Sequence, residues 1–112
     1  MEKTIILLIQ LQNVVKLFHW SSNSYSEHQA LGELYDFLSE AIDELVESIQ
    51  GKQGILKLNI PQVSKEGLSP IIAITNVCEN LSTVETEDWI KNEIQEIQKI
   101  LYKTKYKLEQ LK

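Results

Sequence analysis

Arginine is absent from this 112-residue chain. That removes the planar, forked donor that pairs with phosphates and guanine edges, so nucleic-acid binding is not expected. The late lysines Lys99, Lys103, Lys105, Lys107 and Lys112 instead complement the negative end of a C-terminal helix dipole. Cysteine is nearly absent as well. Cys78 stands alone, which excludes an intrachain disulfide and fits a reducing, cytoplasmic setting. The two prolines and four glycines fall at or beyond the ends of the periodic segments, with Gly32 the exception. No apolar run approaches the roughly 18 residues of a membrane span. The stretch Ile5 to Ile9 is short, follows Glu2 and Lys3, and precedes no small-residue cleavage site. It reads as part of a core helix and not as a signal peptide. The chain carries no internal repeat and no low-complexity tract.

What is present is ordinary globular composition, 43% hydrophobic and 24% charged, at a length that makes one domain, residues 1–112. Four segments repeat apolar residues every three or four positions. Residues 3–20 carry Ile5, Leu8, Leu11, Val15 and Phe18, and Ser21 to Ser24 then break the helix. A capping box, Ser24 with Glu27 or Ser26 with Gln29, opens a second helix over 26–50. Its seam is Leu31, Leu34, Leu38, Ile42, Leu45 and Ile49, and Gly51 is the expected terminator. Ser69 and Pro70 form an N-cap and N1 pair for a third helix over 69–84, with Ile71, Ile74, Cys78 and Leu81 as its seam. Thr86 is the expected cap of a fourth helix over 87–111, which has Glu87 and Asp88 in its first turn. Its seam, Ile90, Ile94, Ile97, Leu101, Thr104, Leu108 and Leu111, is regular enough to predict near-parallel packing.

Residues 51–68 form a connection that is long for a compact domain. The second helix is about 37 Å long, and the connection reaches roughly 60 Å when extended. It can therefore join opposite ends of a bundle. The expected architecture is all-α, a ferritin-like four-helix bundle with a long crossover between the second and third helices.

Charge is unevenly spread. Residues 26–50 hold seven acids and no lysine. Around the first interhelix turn, His19 lies in the apolar stripe of the first helix and His28 opens the second. Asp43 and Glu47 follow one helical turn apart. Imidazole with carboxylate suits iron, zinc or manganese. Taken singly, His19 reads as a core histidine bonded to a carbonyl, His28 as a first-turn residue near a cap, and Glu33, Asp36, Glu40 and Glu44 as a solvated face. Trp20, Tyr35 and Trp89 read as core or interface aromatics, and Cys78 as a buried, inert thiol.

Distance decides how the ligands could meet. His28 and Asp43 are roughly 22 Å apart along one helix, so a single chain cannot bring them to one ion. Two chains can, if their second helices pack antiparallel about a two-fold axis near residues 36–37. His28 of one subunit then faces Asp43 and Glu47 of the other. Gly32 and Ser39 lie on the same side and are small enough for close approach, which would account for a helix-interior glycine that costs about 1 kcal/mol. The expectation is a homodimer through the second helix, with His19, His28, Asp43 and Glu47 as metal ligands. The second half of the chain has no Glu-x-x-His motif, so an intrachain di-iron site is not expected. A reading from a different class is a metal-free scaffold that binds an unidentified protein partner.

The stretch from Phe18 to Glu47 resembles the metal-site region of Dps, the starvation-induced mini-ferritins. The shared pattern is His19-Trp20, His28, Leu34-Tyr35 and Asp43-Glu44-Leu45-Val46-Glu47. The resemblance implies an iron-oxidation site shared between two subunits. Independently of the resemblance, imidazole must be neutral to bind, so affinity is expected to fall as pH drops through about 6.5. The chain is similar, too, to short ferritin-like proteins of large tailed phages, through His19-Trp20, Glu27-His28, Ala30-Leu31-Gly32 and Gln50-Gly51-Lys52. It departs from the mini-ferritin pattern in three places. The turn between the histidines is shorter, Gly32 stands where an acid is expected one turn after the second histidine, and no basic N-terminal tail precedes the first helix.

Overall fold

The computed structural model of the chain describes residues 1–111; Lys112 of the C-terminal lysine cluster lies outside them. The four periodic segments form four helices, α1 (Glu2–Ser21), α2 (Tyr25–Gln53), α3 (Pro70–Leu81) and α4 (Asp88–Gln110). No strand occurs among the described residues, and no helix there is long and apolar enough to cross a membrane.

Two of the expected caps form. Ser24 has extended backbone, and its side chain accepts the Glu27 N–H at 3.3 Å. Ser69 accepts the Ile72 N–H at 3.1 Å, with Pro70 next in the first turn. Each satisfies one of the donors that a helix start leaves free.

Three boundaries differ from expectation. α2 does not stop at Gly51 but continues to Gln53. Gly54 ends it, with φ 96° and its N–H bonded to the Gln50 carbonyl at 2.8 Å. Gly51 keeps a helical φ and so continues the helix, whereas Gly54 occupies the left-handed region that a Cβ disfavours. α3 ends at Leu81 and not at 84, because the Ser82 and Thr83 hydroxyls turn back onto the Glu79 and Asn80 carbonyls. Short polar side chains compete with the helix ladder in this way. Finally, Glu87 and not Thr86 is the N-cap of α4, through its extended backbone and without a side-chain bond.

The helices pack in the cyclic order α1, α2, α4, α3. Each touches its two neighbours, and the diagonal pairs α1–α4 and α2–α3 make no contact among the described residues. Two ion pairs mark α2 and α4 as antiparallel. Lys52 near the end of α2 pairs with Glu87 at the start of α4, and Glu33 near the start of α2 pairs with Lys107 near the end of α4 at 3.3 Å. Exposed pairs of this kind add little stability, about 0–1 kcal/mol each, but they fix direction.

The Gln98 amide donates to the Cys78 carbonyl at 3.1 Å. α3 therefore lies against the later part of α4, and its first residues lie beyond Leu101. The connection over 54–69 must accordingly climb from the level of Glu87 along most of the molecule. Leu56 pins its start, buried and with its N–H bonded to the Gln50 side chain at 3.1 Å. At 29 residues, α2 is about 43 Å long and sets the longest dimension of the molecule, 43 Å.

The core is the set of seams the spacing predicts, with adjustments. Ile5, Leu8, Leu31, Leu38, Leu45, Ile74, Cys78 and Leu101 are fully enclosed, each large aliphatic among them contributing roughly 1.5–3 kcal/mol by burial. In α3, Ala73 and Val77 are buried while Ile71 is only half-buried. Leu111 is exposed beyond the end of α4. Thr104 is the one buried polar residue of the described core, and its hydroxyl is satisfied by the Ile100 carbonyl at 3.0 Å.

Between α2 and α4, Glu40, Glu44, Glu93 and Glu96 line one depression with Phe37, Ala41 and Ile97. Glu93 Oε2 is shut off from solvent without a hydrogen-bond partner. Burial, and then the Glu44 carboxylate, push the Glu93 pKa above its ordinary 4.5. The folded state thus holds this proton more tightly than the unfolded chain does. The associated stability is present below about pH 4.5 and is lost as pH rises through the raised folded value. Glu93→Gln should therefore raise the melting temperature at pH 7 and have little effect at pH 4, as measured by thermal circular dichroism at both.

Burial also pushes the Cys78 thiol up to about 11, against the opposing effects of Tyr102 and Lys105. At pH 8 the thiol should react with a disulfide reagent only as fast as the protein unfolds, and immediately in denaturant. Prompt reaction in the native state would show that the α3 seam opens.

Candidate functional site

His19 belongs to the last turn of α1 and His28 to the first turn of α2. The short serine-rich turn between them makes the two rings neighbours. They stack face to face, with centroids 3.8 Å apart and planes inclined by 16°. Each ring also bonds the other residue's backbone. His19 Nδ1 is 2.6 Å from the His28 carbonyl, and His28 Nδ1 is 2.7 Å from the His19 carbonyl.

A carbonyl oxygen can only accept, so both Nδ1 atoms carry protons. In the neutral rings this leaves each Nε2 with an open lone pair. Metal-binding histidines are commonly oriented by such a bond on the opposite ring nitrogen. The His19 carbonyl is one of the four that a helix end leaves unpaired, so the same bond also caps α1.

Gly32 is explained by this pair. A Cβ built on it would stand 2.9 Å from His19 Cε1 and 3.2 Å from His19 Nδ1. The imidazole lies directly on the α2 backbone, one turn after His28. Ser39, on the same side, accepts a hydrogen bond from the Gln12 side-chain amide of α1 at 2.7 Å. The small residues expected to admit a second chain thus face α1 of their own chain, and the close approach they permit is intramolecular. Gly32 also leaves empty the position where the mini-ferritin pattern has an acid.

The other two candidate ligands stand apart from the histidines. Asp43 and Glu47 are both exposed, roughly 22–28 Å along α2 from His28. Among the described residues, no group of three or more His, Cys, Asp or Glu side chains could hold a metal ion within one chain. One chain therefore holds two stacked imidazoles and, separately, a pair of exposed carboxylates one turn apart.

Lys16 was not singled out by sequence reasoning. Its ammonium lies 4.2 Å from the Tyr35 ring centroid and 5.4 Å from that of Trp20. The Lys16–Trp20 spacing of one helical turn was the available signal. Trp20 is 68% exposed, so of the two expected roles only an interface one remains open to it. Trp89 is partly exposed, and its indole N–H is bonded to Glu87 Oε2 at 2.8 Å.

A family model described as "Family of unknown function (DUF5856)" matches residues 19–108. The match opens on His19 and extends through the whole of α2 and α3 and most of α4. No curated protein and no solved structure matches the chain.

If the His19 ring is what requires Gly32, the effect of Gly32→Ala must change sign with His19. In the native background, the added methyl displaces a ring held by a hydrogen bond and by stacking, and should cost about 1–3 kcal/mol in urea unfolding. In a His19→Ala background the same change should stabilise by up to about 1 kcal/mol, the helix propensity of alanine over glycine. The same sign in both backgrounds would place the constraint on Gly32 elsewhere.

Proposed function

The chain belongs to the DUF5856 family, and we propose that it is a ferritin-like protein that binds a divalent transition metal at a site shared by two copies. His19 and His28 of one subunit supply imidazole nitrogens, and Asp43 and Glu47 of the partner subunit supply carboxylate oxygens. The observation that carries this reading is the tautomer of the pair. Reciprocal Nδ1–H bonds to the two carbonyls leave both Nε2 atoms without a hydrogen-bond partner on adjacent, stacked rings. The cyclic order of the helices and the connection running along most of their length support the ferritin-like topology.

Two nitrogens and two carboxylates suit iron, with zinc and manganese as alternatives. Iron would be the substrate: two Fe(II) would each lose one electron to one dioxygen, which with two protons leaves as hydrogen peroxide, and the carboxylates would stabilise the higher charge of Fe(III). The roles of this chain's own residues are narrower. The carbonyl bonds orient the rings, and the exposed carboxylates close the site from across the two-fold axis.

A second reading rests on the same bonds. The reciprocal contacts also cap α1 and lock the α1–α2 turn, which is sufficient reason for both histidines in a metal-free scaffold that binds another protein.

Titration of chelator-treated protein with Fe(II) in air separates the two. The shared-site reading expects binding at micromolar iron, with oxidation faster than in buffer, and loss of both in His28→Ala and in Asp43→Asn with the helical spectrum intact. Binding should also weaken on acidification, as protons compete for Nε2. Native fold with no uptake of Fe(II), Zn(II) or Mn(II) would leave the scaffold reading.

A further inference from the structure

Trp20, Tyr35 and Lys16 surround a surface hollow of about 440 Å³, which Leu17 of α1 and Val63 of the connection also line. The cation in this hollow has no counter-ion. The ion pairs of the described residues involve Lys52, Lys91, Lys105 and Lys107, and Lys16 meets only aromatic faces. An exposed tryptophan beside a lysine without a counter-ion suits an interface centre. Aromatic anchors of this kind carry much of the binding energy where proteins meet.

We infer that Lys16 and Trp20 form the docking surface for a second copy of this chain, with Lys16 neutralising the acidic face of the partner's α2. The inference rests on the two-fold dimer of the preceding reading and supplies what that dimer otherwise lacks. α2 carries seven acids over residues 26–50 and no lysine there. Asp36, Glu40, Asp43 and Glu47 are all exposed along it. Packed antiparallel on its own copy, this segment sets like charges against each other, which disfavours a contact strongly. Gly32 and Ser39 do not help, since both face α1.

Lys16 sits where a positive charge is needed. Its ammonium lies over the ring of Tyr35, one residue from an axis near 36–37, so it stands at the height of that axis. At that height the opposing helix presents Asp36 and Glu40. Of the other lysines on α1 and α2, Lys3 is at the far end of α1 and Lys52 is paired with Glu87. Trp20, one turn beyond Lys16 toward the histidines, meets the part of the partner's helix that bears Asp43. The same docking thus assembles the shared ligand set.

Sedimentation velocity of the full chain in chelator tests this without metal, with circular dichroism confirming that each variant remains helical. The native chain should be a dimer. Trp20→Ala and Lys16→Glu should each weaken it by about tenfold or more. Joining Lys16→Glu with Glu40→Lys, or with Asp36→Lys, should restore it, because each subunit then presents the exchanged charges to the other. A native dimer indifferent to Lys16→Glu and Trp20→Ala, or one that neither exchange restores, overturns this docking surface and leaves the shared metal site standing. A strict monomer at high micromolar concentration, with and without Fe(II), overturns both.

Discussion

Each imidazole of the His19–His28 pair donates its Nδ1–H to the other residue's carbonyl, and the corner between α1 and α2 depends on that exchange. It closes the end of α1 onto the start of α2. It also holds the two rings in contact, face to face. The geometry leaves no room for a side chain beneath the His19 ring, so α2 accepts a glycine in its interior despite the cost to helix propensity. A single local constraint thereby links a turn, a helix composition and a candidate ligand set.

Electrostatics governs the remaining surface. The acids of α2 are divided between two sides. Glu44 turns toward α4 and crowds Glu93, whose proton affinity is raised by burial first and then by the Glu44 carboxylate. Asp36, Glu40, Asp43 and Glu47 remain in solvent. The bundle tolerates the crowding because its stability comes from the continuous aliphatic seams and not from ion pairs, which are few and mostly exposed. An acidic face of this kind repels its own copy unless a cation stands opposite it, and Lys16 is the cation that the α1–α2 face provides.

Much of the fold was legible because helical periodicity is a one-dimensional signal. The seams of α2 and α4, the Ser24 and Ser69 caps, and the long connection could all be read from spacing and capping chemistry. Boundaries were less legible. Gly51 and Gly54 look alike in sequence, and only the backbone angle distinguishes the glycine that continues a helix from the one that ends it. Thr86 looked like a cap, but the chain assigns that place to Glu87 by conformation alone.

The sequence by itself determined that the chain is helical, that its four apolar stripes must meet, and that His28 and Asp43 cannot reach one ion within one chain. These follow from the rise and period of a helix, which are the same in any context. Only the tertiary structure decided what Gly32 and Ser39 face, that the two histidines stack and exchange hydrogen bonds, and that Lys16 lies between two aromatic rings without an acid. Those outcomes depend on the rotation of α1 against α2. Rotation is set by how side chains from distant positions pack, and no local spacing encodes it.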